Sequence, residues 1–342
     1  MGQTTVVQPT QESSRLSKFW IFILRFQSYF GLIAILVLSA MLSPVRNGHN
    51  IFLDPNNLLN IVRFASENGI IAIGMTLVIL IGGIDLSVGA VLALSAVGAA
   101  SFMMRNGLGT LPTIFLVLSL GSLCGLTNGL IITRFSIQAF IVTLAMLTIA
   151  RGIASLWSGG YAIPLAFGDA PGVAPASFKM LFAGSFTVGG VDIPVQIFYF
   201  IGVGLIAGMF LKRTAFGRHV YAVGGNETAS RLSGVNVNRV KTIVFTISGL
   251  LAGLAALLHA ALVNQGSHID GNGYELNAIA AVVIGGTSLA GGVGTIVGSM
   301  VGALILSILD NILGLRNIPS EYQMILKGVL IVAAVLLQRQ RR

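Results

Sequence analysis

Charge is what this sequence has least of. Only 9% of its 342 residues are Asp, Glu, Lys or Arg, while 55% are hydrophobic. Soluble domains carry roughly a quarter charged residues, so an ordinary soluble fold is excluded. Cysteine is almost absent: the single Cys124 lies in an apolar run, which excludes a disulfide framework and a cysteine metal cluster. The histidines, His49, His219, His259 and His268, are scattered without ligand spacing, so no metal site is expected. No G-x-x-x-x-G-K-[ST] occurs, so the chain offers no phosphate loop for ATP. GGVGTIVG at 291–298 is only loosely like a dinucleotide fingerprint and lies in an apolar run with no strand before it. Short alternating strands are missing, which argues against an outer-membrane barrel. Val6 stands where a myristoylation signal needs Ser or Thr. No A-x-A site comes after the first apolar run, so that run reads as a retained helix and not a cleaved signal.

What is abundant is glycine, 43 residues scattered through long apolar stretches. Small residues let helices approach closely in lipid. Ten apolar runs fall near 19–43, 58–82, 84–104, 111–133, 137–159, 195–211, 242–263, 275–287, 292–313 and 321–338. About 20 apolar residues span a bilayer as a helix, so the expected fold is all-α, a polytopic membrane protein of about ten transmembrane helices. The 275–287 run is short for a crossing and reads equally as a half-helix paired with the next run, which would leave eight or nine spans. Pro55, Asn56 and Asn57 after Asp54 mark a helix start. The expected division is a disordered tail at 1–17, a membrane domain at 18–338 and a short tail at 339–342.

The net charge is +9, and its placement decides what it means. Arg15, Lys18, Arg134, Lys212, Arg213, Arg218, Arg231, Arg239, Lys241, Arg339, Arg341 and Arg342 lie in the tails or between apolar runs. Clustered Lys and Arg mark the cytoplasmic side. Ten spans with both termini cytoplasmic put nearly all of these inside. Arg46, Arg105, Lys179 and Arg316 then lie singly outside. The partner implied by this charge is a lipid bilayer, with no nucleic acid. The outside segment 160–194 shows no obvious element, and is either an ordered connection or a cover over the outer mouth.

Two stretches share a pattern, IGGIDLSVG at 81–89 and IGGTSLAGG at 284–292. Backbone polar groups in lipid must all find partners, so a break in a helix needs glycine for the turn and a polar side chain to cap the next helix. Gly82 and Gly83 form the first helix hairpin, with Asp85 as the cap or as part of a polar pathway. Gly285 and Gly286 form the second, capped by Thr287 or Ser288. Both fall on the cytoplasmic side, which an inverted repeat would not give.

Polar side chains inside spans either line a pathway or bond between helices. The candidate pathway residues are Asn68, Asp85, Asn128, Thr143, Asn277 and Thr287, with Asn311 a further polar position. Asn68 lies ten residues into its run, near the bilayer middle at about 1.5 Å per residue. Arg63 and Glu67, four apart, are spaced to pair within the helix. Arg151 either reaches outward or pairs with an acidic residue.

The inside loop 211–241 differs from the rest, with charges of both signs. Asn226 is placed to cap a short helix through Glu227, Ala229, Arg231 and Leu232, stopped by Gly234, with Leu232 on one face and Glu227 and Arg231 on another. Taken together, GMTLVILIGGIDLSVG (74–89), QAFIVTLAML (138–147), GRHVYAVGGNETASRLSGVNVNRVK (217–241), GYELNAIAAVVIGGTSLAGG (273–292) and YQMILKG (322–328) resemble a permease subunit of bacterial ATP-binding-cassette importers for monosaccharides, the ribose-type branch. The similarity runs from about residue 19 to 338. It implies a bacterial inner-membrane location and a non-enzymatic transport subunit that carries no cofactor of its own. Its partners would be a second permease subunit, read as a homodimer, a cytoplasmic ATPase that binds ATP and Mg, and a periplasmic sugar-binding protein. The 226–234 helix resembles the coupling helix that docks on the ATPase, although Gly234 falls one residue later than in the common E-A-A-x-x-x-G pattern. Arg46 and Arg316 are the expected contacts to the binding protein. The competing function is an ion-coupled secondary transporter using Asp85 or Glu67.

Overall fold

The computed structural model describes residues 27–46, 48–168, 170 and 172–339. The expectations for the 1–17 tail, for residues 19–26 of the first run and for 340–342 lie outside these residues.

Each of the ten apolar runs contains one helix: α1 (Gln27–Leu42), α2 (Pro55–Leu80), α3 (Val88–Met104), α4 (Thr110–Phe135), α5 (Ala139–Ser158), α7 (Val195–Arg213), α10 (Val237–Val263), α11 (Tyr274–Ile284), α12 (Ile296–Leu315) and α13 (Ser320–Arg339). Three further helices, α6 (Ala176–Ala183), α8 (Ala215–Gly225) and α9 (Glu227–Leu232), make thirteen among the described residues. Among the described residues six helices are long and apolar enough to cross a membrane, namely α2, α4, α5, α7, α10 and α12. The chain is therefore a mostly helical polytopic membrane protein, with short strands as well as helices. At 11 residues, α11 is a half-helix of about 16 Å.

The core is built around α3, almost every residue of which is buried. It packs on α4, α5 and α10. Against α4, α10 makes the most extensive helix contact of the fold, and the reason is a stripe of glycines. Gly121, Gly125 and Gly129 recur every four residues on α4, and a Cβ at Gly125 would stand 2.2 Å from the Phe245 carbonyl oxygen. Backbones this close exclude any side chain at the crossing. By contrast only 28% of the apolar window of α4 and 22% of those of α5 and α7 are buried within the chain. Their remaining apolar surface suits lipid or another subunit.

Two regions depart from expectation. Segment 160–194 is built of short elements too brief to show a period: β3 (Ile163–Pro164), β4 (Phe167–Gly168), β5 (Ala174–Pro175), α6, β6 (Ser185–Val188) and β7 (Val191–Pro194). The last two form an antiparallel hairpin. Phe167, Phe178, Phe182 and Tyr199 pack ring to ring in series, with centroids 5.0–6.1 Å apart. The second is segment 264–274. It enters through β8 (Gln265–Gly266), which pairs with β3, and then runs inward along α3. A Cβ at Gly266 would meet the Ala96 carbonyl at 2.2 Å, and one at Gly89 the Gly271 carbonyl at 2.3 Å. Irregular backbone is tolerated at such depth only when buried in protein. Here Arg151 of α5 donates to the His268 and Asp270 carbonyls. Its guanidinium thereby holds the re-entrant segment through two backbone carbonyls.

Candidate functional site

One end of the molecule gathers the two glycine turns and the extra-membrane helices. Gly82 (φ +76°) and Gly286 (φ +88°) take the left-handed conformation that favours glycine. Gly285 is needed for space, since its Cβ would lie 2.4 Å from the Gly298 carbonyl. Gly83 closes the first turn through its N–H on Val78 O, 2.9 Å. The turns touch: Gly292 N–H donates to the Leu80 carbonyl, 2.9 Å. Over that bond sits Gly224 of α8, whose Cβ would fall 1.7 Å from the same Leu80 oxygen. Tyr221 donates its hydroxyl to Gly294 O, 2.9 Å, from the next turn of α8.

Behind the first turn, Asp85 is wholly enclosed. Its Oδ1 accepts from Ser87 N–H (3.0 Å) and Ser87 Oγ (2.6 Å), and its Oδ2 from Ser248 Oγ (3.0 Å). Asn128 adds its Nδ2 to Ser87 Oγ at 3.0 Å. Thr143 donates to Ile84 O at 3.2 Å and to its own helix at Ala139 O. All three side chains are buried. The second turn is built otherwise. No helix begins directly after Thr287 or Ser288. The chain stays irregular until Thr295, which caps α12 by accepting from Gly298 N–H. Thr287 is buried where Gly294 packs on it.

The surface helices continue from here. Thr214 caps α8 and Asn226 caps α9, accepting from Ala229 N–H at 2.9 Å. Gly234 comes next at φ +85°. Glu227 bridges Arg231 (3.2 Å) and Lys241 at the foot of α10 (2.7 Å). The Lys241 hydrogen bond holds the Glu227 carboxyl below the usual carboxylate range. Leu232 is 85% exposed, an apolar side chain offered to whatever meets this end. A cleft of about 500 Å³ joins Gly82 and Gly83 to Glu227, Arg231 and Lys241, so surface helix and first glycine turn share one space.

Towards the opposite end, a cavity of about 540 Å³ opens between α2, α11, α12 and α13. Asn68 and Asn277 line it, and Glu67, Tyr274, Asp310 and Lys327 join them. The expected Arg63–Glu67 pair does not form. Glu67 turns instead to His259, with Oε2 2.9 Å from Nδ1. The other imidazole nitrogen lies 3.6 Å from Asp270, and Asp270 itself caps Ser267 N–H at 2.7 Å. This cluster joins residues almost 200 positions apart, beyond the reach of spacing rules. The polar string GSHIDGNG at 266–273 inside an apolar half was its one visible signal. No group of three or more His, Cys, Asp or Glu could hold a metal ion among the described residues. Arg46 is exposed on β1 (Val45–Arg46), which pairs with β2 (His49–Asn50). Arg316 ends α12 and donates to the Leu42 carbonyl, so both arginines stand on this same rim.

Residues 57–335 match the family model for the permease component of branched-chain amino acid transport systems. The chain belongs to this permease family. The permease is 44% identical over 315 residues to the ribose import permease protein of Haemophilus influenzae, covering 92% of this chain and 93% of that one. It is 41% identical to the ribose import permease protein of Bacillus subtilis, with 92% of each covered. Against the xylose transport system permease protein of Haemophilus influenzae the figure is 36%, with 90% and 95% covered. No solved structure matches. The permease is thus a multi-pass transport subunit of a bacterial ABC importer, without a catalytic domain, and such a subunit implies ATPase and binding-protein partners.

Proposed function

We propose that the permease carries a monosaccharide of the ribose class across the bacterial inner membrane, delivered by a periplasmic binding protein and driven by a separate ATPase that holds ATP and Mg. The observation that carries this reading is the end-to-end likeness to ribose import permeases. The cavity chemistry agrees with it. Beside the charged Glu67, Asp310 and Lys327, the amides of Asn68 and Asn277 and the hydroxyls of Tyr274 and Ser307 supply hydrogen-bonding groups for a hydroxylated solute. Two copies would form the pathway, and the largely unburied apolar faces of α4, α5 and α7 offer surface for a homodimer and for lipid. The end with α8 and α9 would be cytoplasmic, because Arg134, Lys212, Arg213, Arg218, Arg231, Arg239 and Lys241 gather there. Both termini would then be cytoplasmic, on ten spans across 18–338. The loop 212–241 would dock on the ATPase through Leu232, Arg231 and their neighbours. Arg46 and Arg316 would meet the binding protein, where rim charges act mainly on encounter rate.

Reconstitution with the ATPase and binding protein should give ATP-dependent uptake of labelled ribose. Uptake by this chain alone under an ion gradient would overturn the reading in favour of a secondary transporter.

A further inference from the structure

We propose that the permease itself holds a sugar site, in the cavity between α2, α11, α12 and α13, rather than only a polar passage for a sugar released by another protein. The inference rests on the sugar-import reading and names the site within it.

The decisive observation is where the unpartnered atoms lie. Among buried side-chain oxygens without a hydrogen-bond partner are Glu67 Oε1, Asn68 Oδ1 and Asp310 Oδ1, and all three residues line this one cavity. Each is an acceptor. Glu67 is only 3% exposed. An orphaned buried acceptor costs about 1–3 kcal/mol, and more when charged, so three around one space call for a ligand that brings donors. The second oxygen of each carboxylate is already fixed. Glu67 Oε2 is held by His259 at 2.9 Å and by the Tyr274 hydroxyl at 3.5 Å, and Asp310 Oδ2 by Lys327 at 2.8 Å. With those oxygens fixed, Glu67 Oε1 and Asp310 Oδ1 stay in the cavity wall, next to the space a ligand would fill.

The ligand's class comes from the donors it must supply. It brings several hydroxyls and no carboxylate of its own, because Glu67 and Asp310 line the space and Asp270 stands behind His259. A metal ion fits poorly, as no cluster with metal-ligating character occurs among the described residues. A neutral polyol answers all three acceptors, and hydrogen bonds from hydroxyl to carboxylate are the stronger kind. The size is right as well, since 540 Å³ falls in the ~300–1,000 Å³ range of small-molecule sites. The wall away from these groups is apolar, with Ala65, Ala281 and Leu306, which suits the carbon face of a sugar ring. Asn277 lines the cavity too, and its amide can serve a further hydroxyl.

The test uses the assembled transporter of permease, ATPase and binding protein in proteoliposomes, with D-ribose as the probe. Glu67→Gln combined with Asn68→Leu is expected to cut ATP-driven ribose uptake at least tenfold, while ATP hydrolysis stimulated by the binding protein stays within twofold. A second measurement avoids any doubt about folding. In a Cys124→Ala background, Ser307→Cys places the only thiol on the cavity wall, and saturating D-ribose with ATP turnover should slow its labelling by a small aqueous methanethiosulfonate at least threefold. Wild-type uptake left unchanged in the double variant, or labelling of Ser307→Cys indifferent to ribose, overturns the site while the import function stands. Failure of the wild type to take up any sugar overturns the import reading and the site with it.

Discussion

Two buried carboxylates set the two halves of this permease apart. Asp85 has every oxygen occupied by side chains and backbone of its own neighbourhood. Glu67 has one oxygen occupied and one without a partner, in a residue that lines a cavity. Both cost free energy to bury, and only the first has both oxygens hydrogen-bonded within the chain. A carboxylate closed on all sides builds the fold. One left open on one side is kept for something that comes and goes. Their surroundings agree: around Asp85 the helices pack on glycine stripes without space, and around Glu67 the half-helix α11 and the peripheral α13 leave a cavity.

The sharpest way to break this comparison is Asp85→Leu. It strands three donors, the Ser87 N–H and the Ser87 and Ser248 hydroxyls, at about 1–3 kcal/mol each. Thermal unfolding in detergent should show little folded protein, whereas Asp85→Asn, which still accepts at one oxygen, should keep most of it. Equal folding of both variants with transport lost in both would move Asp85 from fold to pathway. Next in size, Glu67→Gln preserves the bonds to His259 and Tyr274, so its unfolding midpoint should shift by no more than about 1 kcal/mol. A loss as large as that of Asp85→Leu would make the two carboxylates alike and remove the contrast. The smallest effect belongs to a third carboxylate, Glu227 on the surface. Its folded pKa is depressed, so the tie it adds is present at pH values above the ordinary carboxylate range, near ~4.3. The tie is lost as pH falls through the lower folded value. Exposed pairs give about 0.2–1 kcal/mol. Limited proteolysis of the 212–241 loop should therefore be flat from pH ~8 to pH ~5 and quicken only below. Quickening already between pH ~7 and pH ~6 would assign the tie to another group.

The legible part of the structure came from periodicity and local chemistry. Each apolar run holds a helix, Asp54 and Asn226 cap where expected, and Gly82 turns the chain after α2. The illegible part depended on contacts far apart in the chain. The i,i+4 rule gave Glu67 to Arg63, but its partner came from α10, brought over by the fold. The echo between the glycine turns suggested like capping, yet Asp85 works two residues on while Thr295 caps a helix well beyond Thr287. Helix α8 did leave a trace in Phe216, Val220 and Val223 at helical spacing, obscured by the Gly224–Gly225 pair that ends it. Segment 264–274 was polar, so it looked like a loop. Its buried polarity is answered by His259 just before it and by Arg151 and Glu67, which lie more than a hundred residues away in sequence.

The bond between Leu80 and Gly292 gives α2 a mechanical meaning. This helix is a continuous 26-residue rod of about 39 Å. Its last carbonyl is pressed by Gly224 with no room for even a methyl group, and Glu67 and Asn68 sit about 20 Å back along it. A push on the surface helices has nowhere to dissipate at that joint. The end of α2 is thus locked to the surface helices, and the other half of the same rod forms one wall of the cavity.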